Sequence, residues 1–126
     1  MSPDPTLSAA LRLQAQVCGE FGSAFYEGLL SEIADDLDAG GPAAELLAPW
    51  VGAGRRAIFK AGAPIRIANA FTWLAMGGEA PGLSAAFPHP PDRPGNPEAA
   101  WREARAALDG HREAILAFMA HEPQTN

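Results

Sequence analysis

The sequence predicts an all-α fold: a compact bundle of about five helices that ends in one long helix. Three observations carry this expectation. Apolar residues recur at three- and four-residue spacings over most of the chain. Alternation of period two never lasts four residues outside 65–67, so no strand is expected. Glycine pairs at 40–41 and 77–78 divide the periodic stretches.

The first helix is expected over 6–21, where Leu7, Ala10, Leu11, Gln14, Val17, Cys18 and Phe21 share one face. Pro3 and Pro5 precede it, where a missing N–H does no harm. Gly22 ends it, and Ser23 suits the N-cap of a second helix over 24–38. That helix carries the stripe Phe25, Leu29, Leu30, Ile33 and Leu37. Pro42 fits the first position of a short third helix with Leu46, Leu47 and Trp50 inward. Residues 51–62, bracketed by Gly52, Gly54 and Gly62, read as a loop or a short, weak helix.

The fourth clear helix, over 64–77, is apolar around most of its circumference: Ile65, Ile67, Ala68, Phe71, Leu74, Ala75 and Met76. A helix of that kind belongs in the middle of a bundle. Residues 81–87 allow one or two further turns. A proline-rich connector follows at 88–96 (PHPPDRPG, then Asn96) and resists both helix and sheet. Its PxxP spacing with Arg93 permits a polyproline-ligand reading, but a rigid spacer is the simpler one. Asn96, Pro97 and Glu98 then start the final helix, expected over 97–121 and roughly 37 Å long, more than so small a bundle needs.

At 126 residues the chain is read as a single domain spanning 1–126. Its net charge of −6 disfavours general nucleic-acid binding, because an acidic chain gains little from counterion release. No apolar run approaches the roughly 20 residues of a membrane span, so no membrane partner is expected. The single cysteine, Cys18, cannot form an internal disulfide and fits a reducing cytoplasm. No secretory signal pattern opens the chain. No cofactor or metal is expected, since no phosphate-binding glycine motif, nucleophile elbow or zinc-ligand spacing occurs.

Candidate functional residues fall in three groups. Arg66, Asn69 and Trp73 lie on the fourth helix, with His111 on the last, and could line an interhelical ligand pocket. Arg66 requires a carboxylate or carbonyl partner, for which Asp36 or Glu32 is available. The preferred reading of His111 is a hydrogen-bonded core histidine, and the alternative is a general base. Trp101, Leu108, Ile115 and Phe118 share the apolar seam of the last helix and are candidates for an interface with a second copy. Asp35, Asp36 and Asp38 cluster at a helix end and read as solvated, without calcium-loop spacing.

Several segments, in order, resemble the bacterial family named domain of unknown function 2332. They are QAQVC at 14–18, GSAFY at 22–26, Leu29-Leu30 and ADD at 34–36. APIR at 63–66, Ala80-Pro81 and AAFP at 85–88 follow, then NPEAAW at 96–101, HRE at 111–113 and PQTN at 123–126. The resemblance implies that longer members continue beyond PQTN toward a region remotely like S-adenosylmethionine-dependent methyltransferases. The chain is then expected to be the N-terminal helical module of that arrangement. Its catalytic function would lie elsewhere, and its partner would be a missing C-terminal domain. The alternatives are a homodimeric ligand-binding or regulatory protein, or an accessory part of a methyltransferase-like enzyme. Thr72 stands where the family pattern often has His, which would remove any role of that His here.

Overall fold

The computed structural model describes residues 4–88 and 94–120, and these are all-α. The described residues form seven α-helices and one 3₁₀ turn. They are α1 (Pro5–Glu20), α2 (Ala24–Asp38), α3 (Ala43–Leu46), the turn Ala48–Trp50, α4 (Arg55–Ala61), α5 (Ala63–Met76), α6 (Pro81–Ala86) and α7 (Pro97–Ala120). The count exceeds the expected five because short segments bounded by glycine and proline also close helical turns. In particular, the stretch read as a loop or weak helix contains α4, which Gly62 terminates in the left-handed conformation (φ 68°).

Local chemistry sets each boundary. Asp4 caps α1, its carboxylate accepting from the Leu7 N–H at 3.0 Å. The same carboxylate accepts from the Gly52 N–H at 2.9 Å and so ties the loop before α4 to the start of the chain. Ser23 caps α2 through the Tyr26 N–H, as its position in the sequence suggests. Asn96 accepts from the Ala99 N–H at the start of α7.

The helices α1 and α2 lie side by side, and α7 crosses α2, α5 and α6. The α5 helix contacts α1, α2, α4, α6 and α7, so the expected central helix is the most widely contacted one. Its Ile67, Ala70 and Phe71 are fully buried. The close pass of α7 over α2 needs a glycine: a Cβ on Gly28 would lie 2.5 Å from the Pro97 ring.

The last helix is not overlong for this bundle. It buries Ala100, Trp101, Ala104, Leu108, Ile115 and Met119 along its whole length. Trp101, Leu108 and Ile115, expected at an interface between copies, are instead in the chain's own core. Trp101 packs edge-on against Phe71, with ring centroids 5.5 Å apart.

The aspartate cluster also differs from the expected solvated end. Asp35 and Asp38 each bind Arg12 at 2.8 Å. Asp36 is buried, accepts from the Ala43 N–H at 2.8 Å and lies 3.5 Å from Arg105. These pairings tie α2 to α1, α3 and α7. The polyproline reading at 88–95 and the PQTN segment fall largely or wholly outside the described residues.

Candidate functional site

One side of α5 is left uncovered. Ile65, Asn69, Trp73 and Met76 follow the i, i+4, i+8, i+11 rhythm of a single helical face, and all four are exposed. Trp73 is 49 % and Met76 83 % accessible, which is uncommon for large apolar side chains on one ridge. The helix is apolar nearly all round, yet its neighbours cover only part of it.

The uncovered face forms a groove of about 700 Å³ with the final turns of α7. From α5 and its start come Gly62, Ile65, Arg66, Asn69 and Trp73; from α7 come Ala114, Ala117 and Phe118; Ala61 closes one end. Trp73 and Phe118 form an aromatic wall, centroids 5.7 Å apart and planes inclined by 30°. The alanines of α7 keep the opposite wall low, so the groove is open and shallow.

Arg66 stands at the α4 end. Its partners are carbonyl groups and not the Asp36 or Glu32 carboxylates expected from sequence. Nη1 donates to the Met119 carbonyl at 2.9 Å and Nη2 to the Ala61 carbonyl at 3.1 Å. The guanidinium also lies over the Trp50 ring, 5.3 Å from its centroid. Arg66 therefore locks α7 to α5 and brings a fixed positive charge to the groove.

Three of the four proposed ligand-binding residues, Arg66, Asn69 and Trp73, share this groove. His111 does not join them. It is half-buried and lines a separate hollow of about 270 Å³ that also contains Glu79 and Glu103. The buried stripe of α7 passes directly from Leu108 to Ile115 and leaves both His111 and Arg112 at its edge. A strict three-four count had placed His111 within it. Phe118, expected at an interface with a second copy, is half-buried in the groove wall.

Among the described residues that line the groove, Arg66 is the one ionisable group, and none carries a carboxylate, imidazole, thiol or hydroxyl. Groups with clearly displaced pKa values lie elsewhere. Asp4 is held below the usual carboxylate value by the Gly52 N–H first, with help from the Leu7 N–H, against the opposing effect of burial. Glu32 is pushed up by burial, then by Glu98 and Asp35. Thr72 donates to the Ala68 carbonyl and accepts from the Tyr26 hydroxyl at 2.7 Å, linking α5 to α2 away from the groove. Among the described residues no group of three or more His, Cys, Asp or Glu side chains is placed to hold a metal.

Sequence reasoning missed Ile65 and the low wall of Ala114 and Ala117. The rhythm of exposed residues on α5 was readable, but which face its neighbours would leave open was not. A second missed signal is charge. Between Glu45 and Glu79 there is no acid, while Arg55, Arg56, Lys60 and Arg66 all fall in that stretch.

The family model described as "Uncharacterized protein conserved in bacteria" and numbered domain of unknown function 2332 matches residues 8–126. The chain belongs to that family. The match covers α2 through α7 whole, and with them the helices that line the groove, α4, α5 and α7. No curated protein and no solved structure matches this family member. No helix among its described residues is long and apolar enough to cross a membrane.

Proposed function

We propose that the chain is a helical interaction module that holds an apolar segment of a partner polypeptide in the α5–α7 groove and has no catalytic role of its own. The observation that carries this reading is the exposed ridge Ile65, Asn69, Trp73 and Met76 beside Phe118. Exposed aromatic anchors in an apolar depression are the usual seat of binding energy between proteins. The grooved surface between two helices accepts the ridge of a third by ordinary helix packing. The chemistry of the described lining agrees: aromatic and aliphatic side chains, one amide and one guanidinium, with no group among them suited to proton transfer or nucleophilic attack.

The test is selection from a displayed library of 16-residue amphipathic helical peptides, against this chain and against Trp73→Glu. Peptides enriched on the first and lost on the second are the expected result. Equal enrichment on both proteins, or none on either, would overturn the proposal.

A second reading is a small-molecule site, because about 700 Å³ falls within the range of ligand pockets. It would use Arg66, Asn69 and Trp73 without His111. Thermal-shift screening of apolar and aromatic compounds tests it, with stabilisation lost in Trp73→Ala as the expected sign and unchanged stabilisation as the contrary one.

A further inference from the structure

The partner's chemistry can be read from the charge beside the groove. The chain as a whole carries −6, yet 46–78 carries four cations and no acid, so the remainder carries −10. Within that stretch the four cations lie on α4 and the first turn of α5, which adjoin one end of the groove. Lys60 and Arg66 line a second hollow of about 610 Å³ with Trp50 and Met119. It shares Ala61 and Arg66 with the groove, so the two depressions adjoin. Arg56 lies one helical turn before Lys60 and therefore on the same side of α4. Arg56 and Lys60 are exposed and have no carboxylate partner among the described residues.

We infer that the groove, taken as the docking site proposed above, and the cationic end of α4 act together on a segment with two parts: an apolar helical ridge, and acidic residues flanking one end of it. The ridge packs on Trp73 and Phe118, and its carboxylates face Arg56, Lys60 and Arg66. Charge complementarity sets direction as well as identity, since the opposite end of the groove, near Trp73, has no cation among its described lining residues. A basic-flanked segment is repelled by α4, and a neutral one loses the orienting contact.

The test uses the peptide library described above, with the flanking positions randomised among Glu, Lys, Gln and Ser. The retained peptides are expected to carry Glu at one flank. Their affinity is expected to fall about tenfold on the double variant Arg56→Glu, Lys60→Glu, as two rim charges reversed would give. That difference shrinks as salt shortens the screening length. Circular dichroism confirms that the double variant, altered only at exposed positions, remains folded. Trp73-dependent peptides with no acidic excess, or with affinity indifferent to the α4 reversal, would overturn the inference and leave the docking reading intact. Absence of any Trp73-dependent peptide overturns both. A Trp73-dependent dimer in sedimentation equilibrium would assign the groove to a second copy and overturn the acidic-segment partner.

Discussion

Two tryptophans separate the core from the candidate site, and removing each in turn makes opposite demands on the structure. Trp101 is 4 % accessible and edge-on to Phe71, at the contact between α7 and α5. Trp101→Ala leaves a cavity between packed helices and is expected to cost about 3–5 kcal/mol. Trp73 is 49 % accessible and touches Phe118 across an open groove. Fully burying a large apolar side chain is worth about 1.5–3 kcal/mol, so half-burial gives about 1–1.5. No closed cavity is left at Trp73, and loss of the aromatic pair adds about 0.5–1.5 kcal/mol. Trp73→Ala is therefore expected to cost about 1.5–3 kcal/mol, below the cost of Trp101→Ala, and to abolish peptide binding. The assay is urea unfolding followed by far-UV circular dichroism, with the denaturant slope compared between variants. Equal costs for the two variants would mean that Trp73 belongs to a closed core. A Trp101→Ala cost below about 1 kcal/mol would contradict the packing at α5–α7. If stability depended on protein concentration and that dependence vanished in Trp101→Ala, Trp101 would lie at an interface between copies and not in the core.

Three further outcomes follow from local geometry. Trp101→Phe is expected to cost much less than Trp101→Ala, because the indole N–H has no acceptor among the described residues and Phe keeps the ring against Phe71; urea midpoints compare the two. Gly28→Ala is expected to destabilise despite a helix-propensity gain of about 1 kcal/mol, since its Cβ would meet the Pro97 ring at 2.5 Å and overpacking costs about 1–3 kcal/mol; a raised melting temperature would contradict the close approach. Asp4→Ala is expected to cost about 1–2 kcal/mol at pH 7 through loss of the cap. The Asp4 pKa is lowered in the folded chain, so its stabilisation is complete above the unfolded value of about 3.9 and is lost as pH falls through the folded value. The wild-type-minus-variant difference should therefore shrink in acid. Only that difference is diagnostic, because Glu32, with its raised pKa, contributes in the opposite sense: its protonation on acidification favours the folded state.

Local signals placed the fold well. Ser23, Asn96 and Pro97, with the glycine pairs, fixed helix ends because caps and left-handed turns are decided within a few residues. The second helix, 24–38, needed no correction. What periodicity could not supply was which apolar face would find a neighbour. Trp101, Leu108 and Ile115 share a seam with Phe118, yet the first three are buried within the chain and Phe118 is left in a groove wall. His111 lies at the edge of the stripe that Leu108 and Ile115 carry, and a three-four count does not separate the edge of a stripe from its centre. Arg66 needed a partner, but the carbonyls of nearby Ala61 and distant Met119 are invisible to a search for opposite charges.

The central claim is that a partner segment lies between α5 and α7. Amide and indole chemical-shift mapping of the ¹⁵N-labelled chain, titrated with a library-selected peptide, tests it most directly. The three tryptophans give separate indole signals, of which Trp73 alone lines the groove. The account predicts shifts at the Trp73 indole and at the Ile65, Asn69 and Phe118 amides, with the Trp101 indole unmoved. Shifts gathered instead around His111 and Glu103, with Trp73 silent, would contradict it.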